Sequence, residues 1–355
     1  MSTTIEAGLP VEIGLIDKEL GKLWEESGDT KTRASLINLA IYTEEAGSIA
    51  DNTTLISEIA GEHACRALLI FANPEAPRPQ ALAWISAHCH LAGGGVKGAH
   101  ALHGERQVCS EQITFQLDGE MTTAMPSIVF SHLDSDLPLY FWRQGEFHKV
   151  LNEKLWARVD RLIYDSADWS RPVEQFAIVH EIRNFTEGRT TLCDLNWTRL
   201  LGTRFALAQL FDHSCVLAHM KEIQSVSIAC TKRITGLFLL GWLAAQLGWK
   251  HQTLLHKESF LSSEGTTIDF EIQETPGEVI SRCAFQSPRA SFEITREANS
   301  AYYHARVCGD DSCETPMLIS AGKSKPADIL LMELSRGGKH PLYDKALAVI
   351  GPLLG

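Results

Sequence analysis

The sequence lacks a basic excess. Its 355 residues carry 32 Lys and Arg against 44 Asp and Glu, a formal net charge of −12, and no run of Lys and Arg occurs. A nucleic-acid binder carries a basic patch or stripe, so this balance argues against nucleic acid and biases the chain against anionic partners. No leader is expected either, since Met1-Ser2-Thr3-Thr4 is not followed by a basic start and an apolar run. The longest uncharged apolar stretch, Ile234 to Trp249, has 16 residues and contains Gln246 and three glycines. A membrane span needs about 20 apolar residues, so this stretch predicts a buried core helix. No membrane partner is expected, and the cytoplasm is the expected location. No nucleophile elbow, zinc-protease helix, kinase signature or complete Walker loop is present, which leaves an enzyme reading without direct support. The nine cysteines are odd in number and show no small-domain framework, so reduced thiols are expected.

What is present is an ordinary globular composition, 45% hydrophobic and 21% charged, at a length comfortable for two domains. Helical and strand periodicities alternate through the first half: a helix over Ile16 to Glu26, a buried strand over Arg33 to Thr43, a helix over Asp51 to Glu62 and strands over Arg66 to Ala72 and Ala81 to Leu91. This is the pattern of an α/β domain. Later come a helix from Leu195 to Phe211, a strand over Glu222 to Cys230 and the core helix. Four strand candidates then follow in succession between Thr267 and Cys308, which implies an antiparallel sheet covered by helices. The expected fold is therefore α/β, with α+β character in the C-terminal half. It comprises two domains, 1–168 and 169–355, each a mixed or antiparallel sheet covered by helices.

Gly93, Gly95 and Gly98 satisfy the glycine spacing of a dinucleotide fingerprint, but no helix pattern follows, so a plain loop is the better reading. His88 and His90 share a strand face near Cys109, which makes at most half of a metal site; no metal and no cofactor are expected. Cys308 and Cys313 flank an acidic turn that would raise a thiol pKa, which disfavours a reactive pair. Arg204 has Leu201, Leu200, Trp197, Leu207, Ala208 and Phe211 as its helical neighbours, so it lies in the buried stripe. Its guanidinium must find an acceptor inside, with Asp165 and Asp194 as candidates, or face a partner as an interface hot spot. Gly236 and Gly241 on the core helix are expected to permit close packing.

Several segments occur in one order: T-R-A-S-L-I-N-L-A-I-Y from Thr32, V-C-S-E-Q-I-T from Val108, S-D-L-P-L-Y-F-W from Ser135, D-R-L-I-Y-D-S from Asp160, D-L-N-W-T-R-L from Asp194 and G-W-L-A-A-Q-L-G-W from Gly241. In this set the chain resembles the OpcA family of glucose-6-phosphate dehydrogenase assembly proteins, over most of its length from about residue 16. The resemblance implies a non-catalytic assembly factor and allosteric activator of that dehydrogenase, with the dehydrogenase as partner and no chemistry of its own. The pattern residues that match are Arg33, Trp142, Arg161, Asp165, Ser166, Asp194, Trp197, Arg199, Arg204 and Trp242. Trp197 and Trp242 lie on apolar helix faces and are expected in the core. Arg143 departs from the family, which often has a second tryptophan after Trp142. The alternative is a sugar-phosphate-binding enzyme or metabolite sensor, with Lys97, Arg106, Arg199 and Lys232 as possible phosphate contacts.

Overall fold

Apolar runs that alternate with helical stripes build two separate sheets. The structure is a computed structural model that describes residues 8–25, 31–91, 107–148, 153–254, 256–309, 317–322 and 325–354. Two compact units emerge, the first made of Met1–Tyr164, Ala177–Cys193 and Pro326–Gly338, the second of Asp165–Phe176, Asp194–Lys325 and Lys339–Gly355.

The first stretch of chain runs β1 (Leu9–Val11), α1 (Ile16–Glu25), β2 (Lys31–Arg33), β3 (Ile37–Thr43), α2 (Ser48–Ala60), β4 (Cys65–Asn73), β5 (Gln80–Leu91), β6 (Gln107–Asp118), α3 (Met125–Ser131), β7 (Leu139–Arg143), α4 (Glu153–Trp156), β8 (Arg161–Tyr164), α5 (Pro172–Phe185) and β9 (Thr191–Asp194). Its sheet has the order β1-β5-β6-β4-β3-β7-β8-β9, with β2 beside β6. From β6 through β8 the strands are parallel, while β5 and β1 add antiparallel pairs at one edge. Parallel strands are buried on both faces. That is why β3 and β4 read as continuous apolar runs, with Leu39, Ala40, Ile41 and Leu68 fully buried. The expected strand over Arg33 to Thr43 is two strands, because the chain leaves β6 after Arg33 and joins β4 and β7 from Ile37.

The second stretch runs α6 (Leu195–Arg199), α7 (Leu201–Phe211), α8 (Ser214–His219), β10 (Ser225–Cys230), α9 (Arg233–Leu247), β11 (Lys250–Leu254), β12 (Lys257–Leu261), β13 (Thr267–Glu274), β14 (Ile280–Gln286), β15 (Ser291–Thr295), β16 (Tyr302–Cys308), β17 (Met317–Ser320), α10 (Pro326–Ser335) and α11 (Pro341–Ile350). Its eight strands lie in the order β11-β12-β13-β10-β14-β15-β16-β17. All pairs are antiparallel except β10 with β13, which is parallel. The apolar stretch from Ile234 is the buried helix α9, whose central residues Phe238, Leu239 and Leu240 are fully buried. Its glycines do what their spacing implies. A Cβ at Gly236 would stand 2.7 Å from Ile272 Cγ2, and one at Gly241 2.8 Å from the Ala346 carbonyl oxygen. Helix α11 thereby lies directly on α9.

Two further expectations change. The helix from Leu195 to Phe211 is two helices, because the backbone at Leu200 (φ −77, ψ −2) interrupts the ladder. The cysteines are not all reduced: Cys89 and Cys109 stand opposite each other across β5 and β6 and form a disulfide. Cys308 is disulfide-bonded as well. Strand register sets the Cys89–Cys109 pairing, and cysteine spacing does not reveal it.

Candidate functional site

Seven of the ten family-pattern residues gather in the second unit. Asp165 follows β8 and caps a short turn, accepting from the Ala167 amide at 3.1 Å. Both of its carboxylate oxygens receive the two terminal nitrogens of Arg199, one at 2.7 Å, in a bidentate fork. Asp194 closes β9 and caps α6. Its Oδ1 accepts from the Ser166 amide at 3.1 Å and the Asn196 amide at 3.0 Å, and its Oδ2 from the Ser166 hydroxyl at 2.7 Å. Asn196 Nδ2 donates to Ser166 Oγ at 3.0 Å, and Thr235 on α9 donates to Asn196 Oδ1 at 2.7 Å. All four residues are buried. Burial, followed by the nearby Asp165 charge, pushes the Asp194 carboxyl up to about 7 against the hydrogen bonds from Ser166 and Asn196.

Trp197 continues this core. Its ring meets Phe238 at 6.1 Å and Tyr343 at 5.8 Å. The Arg204 guanidinium lies 3.6 Å from the Trp197 centroid and the residue is 7% exposed. Arg204 is thus inside, as its stripe implied. The two carboxylates proposed for it are engaged by Arg199 and by the Ser166–Asn196 pair. Trp242 is buried on α9. Beside this network lies a hollow of about 330 Å³, with Trp169, Leu237 and Leu353 in its lining and Asp168, Lys232 and Glu274 at its charged parts. Lys232 pairs with Asp168 at 2.8 Å, and the Glu274 carboxylate accepts the first amide of α9, from Arg233.

The other pattern residues belong to the first unit. Arg33 pairs at 3.0 Å with Glu111, which is 1% exposed, while Trp24 Nε1 donates to the same carboxylate at 2.7 Å and Arg66 stands 3.5 Å away. Arg161 donates to the Gly338 carbonyl at 2.9 Å and lies over the Tyr140 ring. Trp142 is buried in β7. His88 bonds Gln112 at 2.8 Å, and the Cys109 sulfur is taken by Cys89. The Gly93 to Gly98 loop, Lys97, Arg106 and Cys313 lie outside the described residues.

Sequence reasoning missed the most distinctive cluster. The chain leaves β3 for β4 on one side and leaves β7 for β8 on the other. The ends of β3 and β7 therefore form a topological switch point, the place where open α/β sheets hold ligands. There the Glu44 carboxylate receives the Tyr42 hydroxyl at 2.8 Å, His148 Nε2 at 2.7 Å and Arg143 at 3.2 Å. Arg143 also lies over the Tyr42 ring at 4.7 Å and donates to the carbonyls of Gln144 and Glu146. Burial acts upward on Glu44, but His148, Arg143 and Tyr42 outweigh it and hold the carboxyl below its ordinary value. Burial, then the bond to Glu44, raises the Tyr42 hydroxyl. The one sequence signal was Arg143, standing where the family often has a tryptophan.

Comparison with known proteins matches two family models to the chain. One describes a glucose-6-phosphate dehydrogenase subunit N-terminal domain and matches residues 56–181. The other describes the C-terminal domain of such a subunit and matches residues 190–347. A Synechococcus elongatus protein named OpcA for the OxPP cycle is 24% identical over 323 residues, 84% of this chain and 70% of its own length. A Nostoc punctiforme protein of the same name is 23% identical over 332 residues, 86% of this chain and 68% of its own. Among solved structures, the aldose-aldose oxidoreductase from Caulobacter crescentus is similar at TM-score 0.48 and 12% identity, covering 89% of this chain and 95% of that one.

Proposed function

We propose that this chain, which belongs to the OpcA family of glucose-6-phosphate dehydrogenase subunits, is a non-catalytic assembly factor and allosteric activator of that dehydrogenase in the oxidative pentose phosphate pathway. The observation that carries this reading is the charged switch point. A dinucleotide needs a glycine turn and an open helix N-terminus for its pyrophosphate. Here the β3–α2 connection reads Thr43-Glu44-Glu45-Ala46-Gly47, and Asp51 stands in the first turn of α2. A pyrophosphate would meet three carboxylates, and the nearest donors, Arg143 and His148, already serve Glu44. This supports a chain with no dehydrogenase chemistry of its own.

A partner without chemistry changes an enzyme's rate only by binding one of its states better than another. If the free dehydrogenase populates its competent state at about one part in ten, the largest gain in apparent substrate affinity is about tenfold. The test titrates the dehydrogenase with this chain at several glucose 6-phosphate levels. The apparent KM should fall more than kcat rises, and the pure chain should form neither NADPH nor NADH. Nucleotide reduction by the pure chain would sink the reading.

The alternative, a sugar-phosphate-binding enzyme or metabolite sensor, draws on the hollow at the start of α9, where Lys232 and Arg233 stand. Asp168 and Glu274 line the same hollow and engage Lys232 and the helix amide, so an anion entering it meets as many carboxylates as cations. Heat released on titrating glucose 6-phosphate into the chain alone would favour this alternative.

A further inference from the structure

The sheet of the second unit buries one face and leaves most of the other accessible. Along β10, β15 and β16 buried and accessible residues alternate strictly. On the inner side Phe285 and Phe292 meet Phe211 of α7, and Ile272 meets Gly236 of α9. The opposite side carries the accessible set. One row of residues crosses it at a single register: Glu271 on β13, Ser227 on β10, Ala284 on β14, Glu293 on β15 and Arg306 on β16. Ala284 is the middle of this row and lines a hollow of about 240 Å³.

The charges of the row are arranged about that middle. Glu271 stands two strands to one side and Arg306 two strands to the other, both exposed. Among the described residues neither has an ion pair, whereas their neighbours do: Lys257 with Asp269 and Arg282 with Glu293, each at 2.8 Å. Lys250, Lys257, Arg282 and Arg306 stand against Asp269, Glu271 and Glu293, so this face is close to neutral on a chain of net charge −12. A near-neutral face with opposite unpaired charges, Glu271 and Arg306, at equal distances from its centre is self-complementary there, which is what an isologous two-fold contact demands.

We infer that this face is a homodimer interface. A second copy of the chain packs its own outer face on it, turned about a two-fold axis along β14 near Ala284. That rotation sets each Arg306 over the other copy's Glu271 and each Glu293 over the other's Ser227. The small residues at the centre let the two sheets approach. The seven strands from β12 to β17 that this axis superposes, each about 4.8 Å wide and about 18 Å long, give about 600 Å² of face per copy, or about 1,200 Å² in all. That meets the lower bound of a stable specific interface. The occupant is a second copy because its complementary charges are the ones this sequence itself supplies. The inference stands apart from the reading of the dehydrogenase as partner.

Sedimentation equilibrium of the full chain over about 1 to 100 μM tests it. The expected mass is twice 39.3 kDa. Arg306→Glu and Glu271→Arg should each weaken the dimer at least about tenfold, because a reversed charge meets its like at two symmetric positions. The double variant should restore it. Both residues are exposed on the single chain, so thermal melting at concentrations low enough for every variant to be monomeric should be unchanged in all three. A mass of 39.3 kDa throughout, or a dimer indifferent to both reversals, would overturn the inference. So would a monomer whose Arg306→Glu variant loses the dehydrogenase, which would give the face to the enzyme.

Discussion

Asp194 is where a small change is expected to do most to the second unit. Its side chain accepts from the Ser166 amide and the Asn196 amide, and it also takes the Ser166 hydroxyl. Replacing it with Ala removes the cap of α6 and leaves those buried donors without an acceptor. A lost cap costs about 1 kcal/mol and each buried unsatisfied donor about 1–3, so a total of about 3–5 kcal/mol is expected. Asp194→Asn behaves differently. An amide oxygen at Oδ1 keeps both amide donors, and the new NH₂ donates to Ser166 Oγ. The pH dependence separates the two effects. The folded carboxyl sits near 7, above its ordinary value of 3.8. The folded state therefore holds this proton more tightly, and the chain loses stability as pH rises from about 4 to about 7. That difference corresponds to about 4 kcal/mol. Urea unfolding at about pH 5 and pH 8 should show the loss in the parent and a flatter profile in Asp194→Asn. An Ala variant that costs under about 1 kcal/mol, or an Asn variant that keeps the full pH slope, would refute the reasoning.

Arg204→Leu should lower the melting temperature, with a cost of about 2 kcal/mol or more for a desolvated guanidinium on an indole; stability that holds while dehydrogenase binding is lost would make Arg204 a partner contact. Gly241→Ala should cost roughly 2–3 kcal/mol, because the new methyl meets the Ala346 carbonyl and Ile350 on α11; thermal melting measures it, and an unchanged midpoint would contradict the close approach. Glu111→Gln should destabilise the first unit by roughly 3 kcal/mol, since Arg33 and Arg66 lose their shared anion; chemical denaturation within about 0.5 kcal/mol of the parent would show that neither arginine depends on it.

Local chemistry was legible in the sequence and long-range pairing was not. Helix α9 is apolar on all sides, so its burial follows from its residues, and its glycines announced close packing. Arg204 was readable as buried because helical spacing surrounds it with apolar neighbours. Its stacking on Trp197 was readable only as proximity, and the break at Leu200 leaves no compositional mark. Glu111 draws on Trp24, Arg33 and Arg66, which come from three other elements. The Cys89–Cys109 bridge depends on strand register. The Glu44 cluster depends on strand order: Tyr42 and Arg143 are 101 positions apart in sequence and meet only because β3 and β7 are parallel neighbours. Four strands in a row correctly announced a sheet, but the parallel β10–β13 pair needs the crossover through α9, which a list of strands does not contain.

The central claim is that this chain binds glucose-6-phosphate dehydrogenase and prefers its substrate-competent state. Linkage then fixes the converse: substrate must tighten the protein–protein contact by the factor by which the chain tightens substrate binding. The direct measurement is a binding isotherm between the two proteins with and without saturating glucose 6-phosphate. The account predicts a tighter dissociation constant with substrate, by up to about tenfold. A complex with the same affinity in both conditions, or no complex in either, would contradict it.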